Sequence, residues 1–238
     1  MSSFEALGFL STGVEQERLV LRKTYQAEFE KVEEISAIAL SDLRSAVGEA
    51  VRPYLVGLGY WIRCIECCQA SVLLVERGLP TAPFPPMRTA FECLFFACAL
   101  WRNPALETKI KVAHDYERIR QATTMLKAGA ASGLDPSQSA VLRTIAAETL
   151  PTDKGLSAWD AAAAAGLTLE YETAYRGFGI GGAHASLRSL DDVFSVQLDG
   201  SVSIAFEPKS RQTSFLLGLA TNCLIWGIDR HREAVRQP

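Results

Sequence analysis

Apolar residues recur along most of the chain at steps of three, four or seven positions, the spacing of one face of an α-helix. Within residues 13–48 this face includes Val14, Leu21, Val32 and Leu43, while Glu, Lys and Arg fill the other positions. The pattern predicts a long amphipathic helix over 13–48, with one side facing solvent.

Two more strongly apolar stretches predict the central helices of a bundle. The first begins at Pro53, whose missing N–H costs nothing in a first helical turn, and ends before Gly78. The second follows a proline-rich connector and stops at Asn103-Pro104. A further helical pattern continues to Ala128, so 53–128 is predicted to be the bundle core.

One segment has the two-residue period of β-strands. Val193–Leu198 and Ser201–Phe206 alternate apolar and polar residues around Asp199-Gly200, a dipeptide that favours a two-residue hairpin turn. We therefore predict an all-α fold, a multi-helix bundle with one inserted β-hairpin at about 193–206.

The chain, 1–238, is predicted to be a single helical domain, because each helical stretch has an apolar face to bury against the others. Its predicted parts are the N-terminal helix 13–48, the bundle core 53–128, shorter helices and a glycine-rich loop in 135–190, the hairpin in 191–207 and a C-terminal helix over 210–234.

Composition narrows the class of protein without naming a chemistry. The chain is 48% hydrophobic and 21% charged, which is typical of a globular protein able to bury a substantial core. A net charge of −3 gives no reason to expect non-specific nucleic-acid binding, although a local basic patch is compatible with it.

The stretch from Tyr54 to Val75 is about as long as a membrane-spanning helix. Arg63 and Glu66 interrupt its middle, and each central charge costs roughly 2.5–3.5 kcal/mol on insertion. We therefore predict no membrane association. The absence of a signal-peptide pattern and the six cysteines inside apolar helices favour a cytoplasmic protein with free thiols.

Cysteines at i, i+3 and i+4 stand together in one helix, at Cys64, Cys67 and Cys68. A zinc site usually has C-x-x-C on a turn, with a second pair of ligands at matching spacing. Because these thiols lie in an apolar helix, we predict core packing, with neither a metal nor a cofactor.

Each of the two central helices carries an Arg–Glu pair, Arg63 with Glu66 and Arg88 with Glu92. Each pair shares a helix face. If the helices face one another, the pairs form a buried polar layer. Such a layer is either a structural network that fixes helix register, or a pocket in which Arg88 binds an anion and Glu92 acts as an acid, a base or a support for the arginine.

The segment YETAYRGFGIGGAHASLRS concentrates polar side chains around glycines. Glycine lets a ligand approach the backbone closely, and His184 is a candidate general base near neutral pH. The alternative is a glycine-rich hinge beside a histidine that caps a helix. The candidate ligand-binding residues of this segment are Tyr171, Tyr175, Arg176 and Ser186, with Arg188 nearby.

Taken together, ERGLP…MRTAFE and YRGFGIGGAHASL resemble a bacterial helical family of unknown function, with an Arg-x-x-x-Glu helix followed much later by a Tyr and a Ser/Gly–His segment. The resemblance covers about Ala70 to Leu190 and supplies no activity. It implies one site composed of Arg88, Glu92, Tyr175 and His184.

A more distant similarity is to the HEPN helical domains of bacterial defence and toxin systems. Those ribonucleases carry an Arg and a His with four to six residues between them at a dimer interface, whereas seven residues separate Arg176 from His184 here. The similarity implies a homodimer in which His184 takes the proton of an RNA 2′-hydroxyl and Arg176 stabilises the phosphate.

Two functional hypotheses follow. In the first, a polar site within the bundle binds or processes an anionic ligand, a nucleotide or RNA, as a defence-type nuclease would; its catalytic residues are Arg88, Glu92 and His184, and Arg63 and Glu66 extend it. In the second, the protein is a non-catalytic interaction protein whose Arg–Glu pairs are structural, and the hairpin or the first helix carries the partner.

Overall fold

The computed structural model describes residues 3–45, 52–179, 182, 184, 187–196, 198–204 and 206–236. It confirms the all-α bundle with one β-hairpin. The α-helices are α1 Ser3–Leu7, α2 Val14–Thr24, α3 Gln26–Ser45, α4 Arg52–Val75, α5 Phe84–Arg102, α6 Glu107–Lys127, α7 Pro136–Ala146, α8 Ala158–Ala165, α9 Thr168–Glu170, α10 Arg176–Phe178 and α11 Thr213–Arg236. A π-helical turn, Tyr171–Tyr175, joins α9 to α10, and short 3-10 helices are Gly8–Leu10, Pro104–Leu106, Ala130–Gly133 and Leu187–Leu190.

Helix α5 lies at the centre of the bundle and packs against α4, α8 and α11. Prolines occupy its first turn and Asn103-Pro104 follows its end, as the sequence predicts. Phe91, Leu94 and Phe95 have no exposed surface, because three helices cover this part of α5. The helix is therefore a rigid element on which polar side chains can be positioned.

Helices α4 and α11 approach one another closely at Gly227. A Cβ on Gly227 would lie 2.1 Å from the Trp61 ring, so only glycine leaves room for the indole. This contact places the C-terminal helix directly on the central pair.

The predicted N-terminal helix is wrong as one unbroken element. It divides at Tyr25, whose backbone leaves helical geometry between α2 and α3. The Thr24 hydroxyl donates to the Val20 carbonyl, a local bond that competes with helix geometry and often bends it. Tyr25 itself packs on the core. The predicted C-terminal residues of this helix, 46–48, lie outside the described residues.

The hairpin forms from β1, Phe194–Val196, and β2, Val202–Ile204, which are antiparallel. Val196 pairs with Val202, so the connection is longer than the two-residue turn predicted. Asp199 explains the difference, because its carboxylate accepts hydrogen bonds from the backbone N–H and the hydroxyl of Ser201.

His231 is buried, although Arg230 and Arg232 flank it in the sequence. Its ring is 2% exposed, Nε2 lies 2.9 Å from the Tyr54 hydroxyl, and Trp101 covers it at 5.1 Å between ring centroids. The cause is the tertiary position of α11 against α4 and α5.

Helix α4 passes a length-and-composition test for a membrane span, with a mean hydropathy of 1.3 over its most apolar window. The test is weak evidence, since the core helix of a soluble protein passes it too. Here α4 packs against α5 and α11, and 39% of that window is buried.

Candidate functional site

Helix α5 and the segment Thr168–Phe178 together position the side chains that the sequence singled out. Both the π-helical turn and α10 pack against α5. Short π-helical turns within α-helices occur frequently at functional sites. The turn places Tyr175 inward, where it is buried against α5.

Arg88 is held along the face of Tyr175. Its Cζ atom lies 4.0 Å from the ring centroid, Nη1 donates to the Tyr175 carbonyl at 3.1 Å, and Nη2 donates to the Tyr175 hydroxyl at 2.9 Å. Two hydrogen bonds and a cation–π contact to one residue fix the guanidinium in place.

Glu92 does not pair directly with Arg88, although the sequence spacing suggested that it would. The Tyr175 hydroxyl stands between them and donates to Glu92 Oε2 at 3.3 Å while it accepts from Arg88. Burial, together with the negative charge of Glu92, raises the pKa of Tyr175 to about 12. The phenol therefore stays protonated and links the two charged groups.

His184 lies near Arg88. A Cβ placed on Gly179 would be 3.4 Å from Arg88 Nη1 and 3.5 Å from His184 Cδ2, so these two atoms are at most 6.9 Å apart, the sum of those distances. His184 is exposed and Arg88 partly buried. The absence of a side chain at Gly179 keeps the space between them open.

Aromatic rings continue from the Tyr175 ring towards solvent. Tyr171 stacks on Tyr175 with centroids 4.9 Å apart, and Trp159 meets Tyr171 edge-on at 5.2 Å. Trp159 is 43% exposed. Sequence reasoning missed it, although a lone exposed tryptophan in the alanine-rich helix α8 is an unusual feature that could have drawn attention.

The buried polar layer predicted from two Arg–Glu pairs is wrong. Arg63 and Glu66 are both exposed on α4, while Arg88 and Glu92 are partly buried on α5. Helix α4 buries the side that carries Trp61, Cys64 and Ile65. Residues 63 and 66 lie on the other side of the helix, which faces solvent.

Arg176 is exposed and forms an ion pair with Glu172, at 2.7 Å, within its own helical segment. The arginine that the structure places beside His184 is Arg88 instead. Ser186 and the side chain of Arg188 lie outside what the structure describes.

A cleft of about 390 Å³ borders the π-helical segment. Thr173, Gly177 and Phe178 line it, together with Asp191 and Arg211. Neither Arg88 nor His184 is among the described residues that line it.

Comparison with known proteins gives a family and no more. Searches of curated proteins and of solved structures found no significant match. The model of a family of unknown function, DUF5677, matches residues 54–202, which include α5, the π-helical turn and His184. Because this match covers more than half of the chain, the protein belongs to the family DUF5677.

Proposed function

We propose that the protein binds a phosphate-bearing ligand, a nucleotide or RNA, at the Arg88–Tyr175–His184 site. The observation that supports this best is the partly buried Arg88 guanidinium, which has no carboxylate within ion-pair distance among the described residues yet is fixed beside His184. A held cation without a protein counter-ion is suited to an anionic ligand.

The donors of Arg88 support binding of a phosphate. Two of the five guanidinium N–H groups bond to Tyr175, and the other three have no hydrogen-bond partner among the described residues. Planar N–H groups match two oxygens of a phosphate, and the cation–π contact with Tyr175 keeps their direction.

The aromatic rings favour a nucleotide over a simple anion. Unpaired bases stack on aromatic side chains whatever their sequence, and Trp159 is exposed at the outer end of the row that leads to Arg88. A base on Trp159 or Tyr171 and a phosphate on Arg88 would be bound by neighbouring groups.

If the ligand is RNA, the site has the parts for strand cleavage. His184 would take the proton of a 2′-hydroxyl, the 2′-oxygen would attack the adjacent phosphorus, and the 5′-oxygen would leave with a proton from solvent. Arg88 would stabilise the charge on the phosphate oxygens, the role that the HEPN similarity had assigned to Arg176.

The test compares single variants for binding and cleavage of a fluorescent single-stranded RNA and for binding of ATP. Arg88→Ala should weaken binding at least about tenfold, because a charge-assisted phosphate contact is lost. Arg176→Ala is the matched control, since it removes an exposed arginine that already pairs with Glu172. Equal effects of the two variants would contradict the proposed site.

Cleavage is tested separately with His184→Ala. We expect this variant to bind RNA with an affinity close to that of the wild type and to lose cleavage, because His184 is exposed and supplies a proton acceptor more than binding energy. If wild type and variant cleave equally, His184 has no catalytic role and only the binding proposal remains.

One observation favours the second function, an interaction protein. The hairpin exposes apolar side chains on both strands, with Val196 73% and Ile204 77% exposed, and a two-stranded sheet is marginally stable alone. A second copy pairing along this hairpin would cover them and give the homodimer expected from the HEPN similarity. Sedimentation of Val196→Lys against the wild type tests this: a shift from dimer to monomer would support it.

A further inference from the structure

Three cysteine side chains meet in the core, between α4 and α11 and independent of the site proposed above. The sulfur atoms of Cys64, Cys68 and Cys223 all lie within 4.8 Å of one another, and the Cys64 and Cys223 sulfurs are 3.6 Å apart. Cys67, which the sequence grouped with the first two, is not part of this cluster. Residues 64 and 68 share one helix face, and α11 adds the third sulfur from the opposite side.

The cluster is buried. Cys64 and Cys223 are 0% exposed and Cys68 is 1% exposed. Burial raises the pKa of Cys64 and of Cys223, whereas hydrogen bonds from these two thiols lower the pKa of Cys68.

A route from solvent reaches one sulfur. A cleft of about 380 Å³ opens between α3, α4 and α11, and both Cys68 and Leu224, the neighbour of Cys223, line it. Ser36 and Gln69 bridge its walls by a hydrogen bond of 2.8 Å. The cleft therefore leads to the cluster at Cys68.

We propose that Cys64, Cys68 and Cys223 form a three-sulfur binding site for Cu(I), a soft monovalent metal ion. Soft thiolates select soft ions such as Cu(I) and Zn²⁺. Structural zinc sites have four ligands in a tetrahedron, and the described residues place only three ligand atoms here, all sulfur. Cu(I) accepts three-sulfur coordination.

Binding needs no redox partner. Cysteine sulfur binds a metal ion as the thiolate, so each coordinating thiol releases its proton to solvent as its bond to Cu(I) forms. The oxidation states of copper and sulfur do not change.

The test titrates the 238-residue protein with Cu(I) against a chromogenic bicinchoninate competitor. The protein is held under anaerobic conditions and kept reduced with a non-thiol reductant. We expect one equivalent of Cu(I) to leave the competitor for the protein. Cys68→Ser should weaken this binding by more than the roughly 10–100-fold loss typical of an outer-shell partner, because a direct ligand is removed.

Two cysteine variants are controls. Cys98→Ser removes another buried thiol, and Cys67→Ser removes the more accessible thiol next to Cys68 in the sequence. Both should keep the wild-type affinity. Loss of binding in Cys67→Ser with retention in Cys68→Ser would overturn the site, and displacement of Cu(I) by one equivalent of Zn²⁺ would overturn the choice of ion.

Copper X-ray absorption of the wild-type complex gives a second readout that needs no variant to fold. Three sulfur neighbours and no nitrogen or oxygen neighbour support the proposal. Two sulfurs, or any nitrogen ligand, would overturn it, as would a reduced wild-type protein that takes no Cu(I) from the competitor.

Discussion

At the residue scale, one tyrosine determines how the candidate site is organised. Tyr175 receives two hydrogen bonds from Arg88 and donates one to Glu92, so two charged side chains on the same helix meet through a neutral group. This arrangement keeps Arg88 oriented without neutralising it. A direct Arg88–Glu92 pair would have reduced the attraction of an anionic ligand.

Replacing Tyr175 by Phe should lower the free energy of unfolding by about 1 kcal/mol. The reason is that the hydroxyl's two hydrogen bonds, one from Arg88 and one to Glu92, are lost from a partly buried network. The control is Tyr171→Phe, since Tyr171 stacks on Tyr175 and its hydroxyl has no recorded partner among the described residues. Urea unfolding measures both. If both variants lower the free energy of unfolding equally, the hydrogen bonds of the Tyr175 hydroxyl make no specific contribution to stability.

His231 should make stability depend on pH. Burial lowers the pKa of His231 below its usual 6.5, so the unfolded chain takes up a proton before the folded chain does as pH falls. The stability associated with neutral His231 is complete above pH 6.5 and is lost as pH falls from there towards the lower folded pKa.

Urea unfolding at about pH 8 and about pH 5 measures this component. His231→Gln should make the free energy of unfolding less dependent on pH in this window. His114→Gln, at an exposed histidine, should leave the wild-type dependence unchanged. A His231→Gln protein with the full wild-type dependence would contradict the assignment.

At the scale of elements, helix positions are decided by close contacts between a large and a small residue. Trp61 on α4 fits only because Gly227 on α11 has no side chain. The Trp101 indole likewise lies against Gly57, where a Cβ would be 2.6 Å from its nitrogen. Such contacts fix the spacing of the helices that carry the cysteine cluster.

Gly227→Ala should destabilise the protein by about 1–3 kcal/mol, because the added methyl group forces Trp61 or the helices apart. Gly218→Ala in the same helix has open space around the new Cβ and should stabilise by up to about 1 kcal/mol, since alanine is the better helix former. The two variants should therefore change the free energy of unfolding in opposite directions relative to the wild type. A stabilising Gly227→Ala would show that this contact is loose.

At the scale of the whole molecule, charged contacts tie the N-terminal helices to the bundle. Arg22 on α2 donates to Glu76, which follows α4 and is nearly buried, at 2.7 Å. Arg232 on α11 donates to Asp42 on α3 at 2.6 Å. Between these two contacts, α3 forms one wall of the cleft that leads to Cys68.

Glu76→Gln should therefore lower the free energy of unfolding by about 1–3 kcal/mol, the range for a hydrogen bond to a charged group. Glu34→Gln is the control, because Glu34 pairs with Lys31 where both side chains are exposed, and it should change stability by less than about 0.5 kcal/mol. Chemical unfolding compares them. If Glu76→Gln costs no more than Glu34→Gln, α2 is not held by this contact.

The sequence predicted the all-α fold class and the position of the hairpin, because helical periodicity and turn chemistry are local properties. Val14, Leu21 and Val32 are buried as their spacing requires. The break at Tyr25 was not predicted, since neither Pro nor Gly marks it.

The sequence by itself determined which residues this protein has available for chemistry, and only the tertiary structure decided which of them meet. Arg88 and Tyr175 are 87 residues apart, and Cys64 and Cys223 are 159 apart. Spacing along one helix suggested Glu92 and Cys67 as partners instead. Contacts between distant segments depend on how whole helices pack, so the burial of His231, the hydrogen bonds between Arg88 and Tyr175 and the three-sulfur cluster follow from the packed bundle alone.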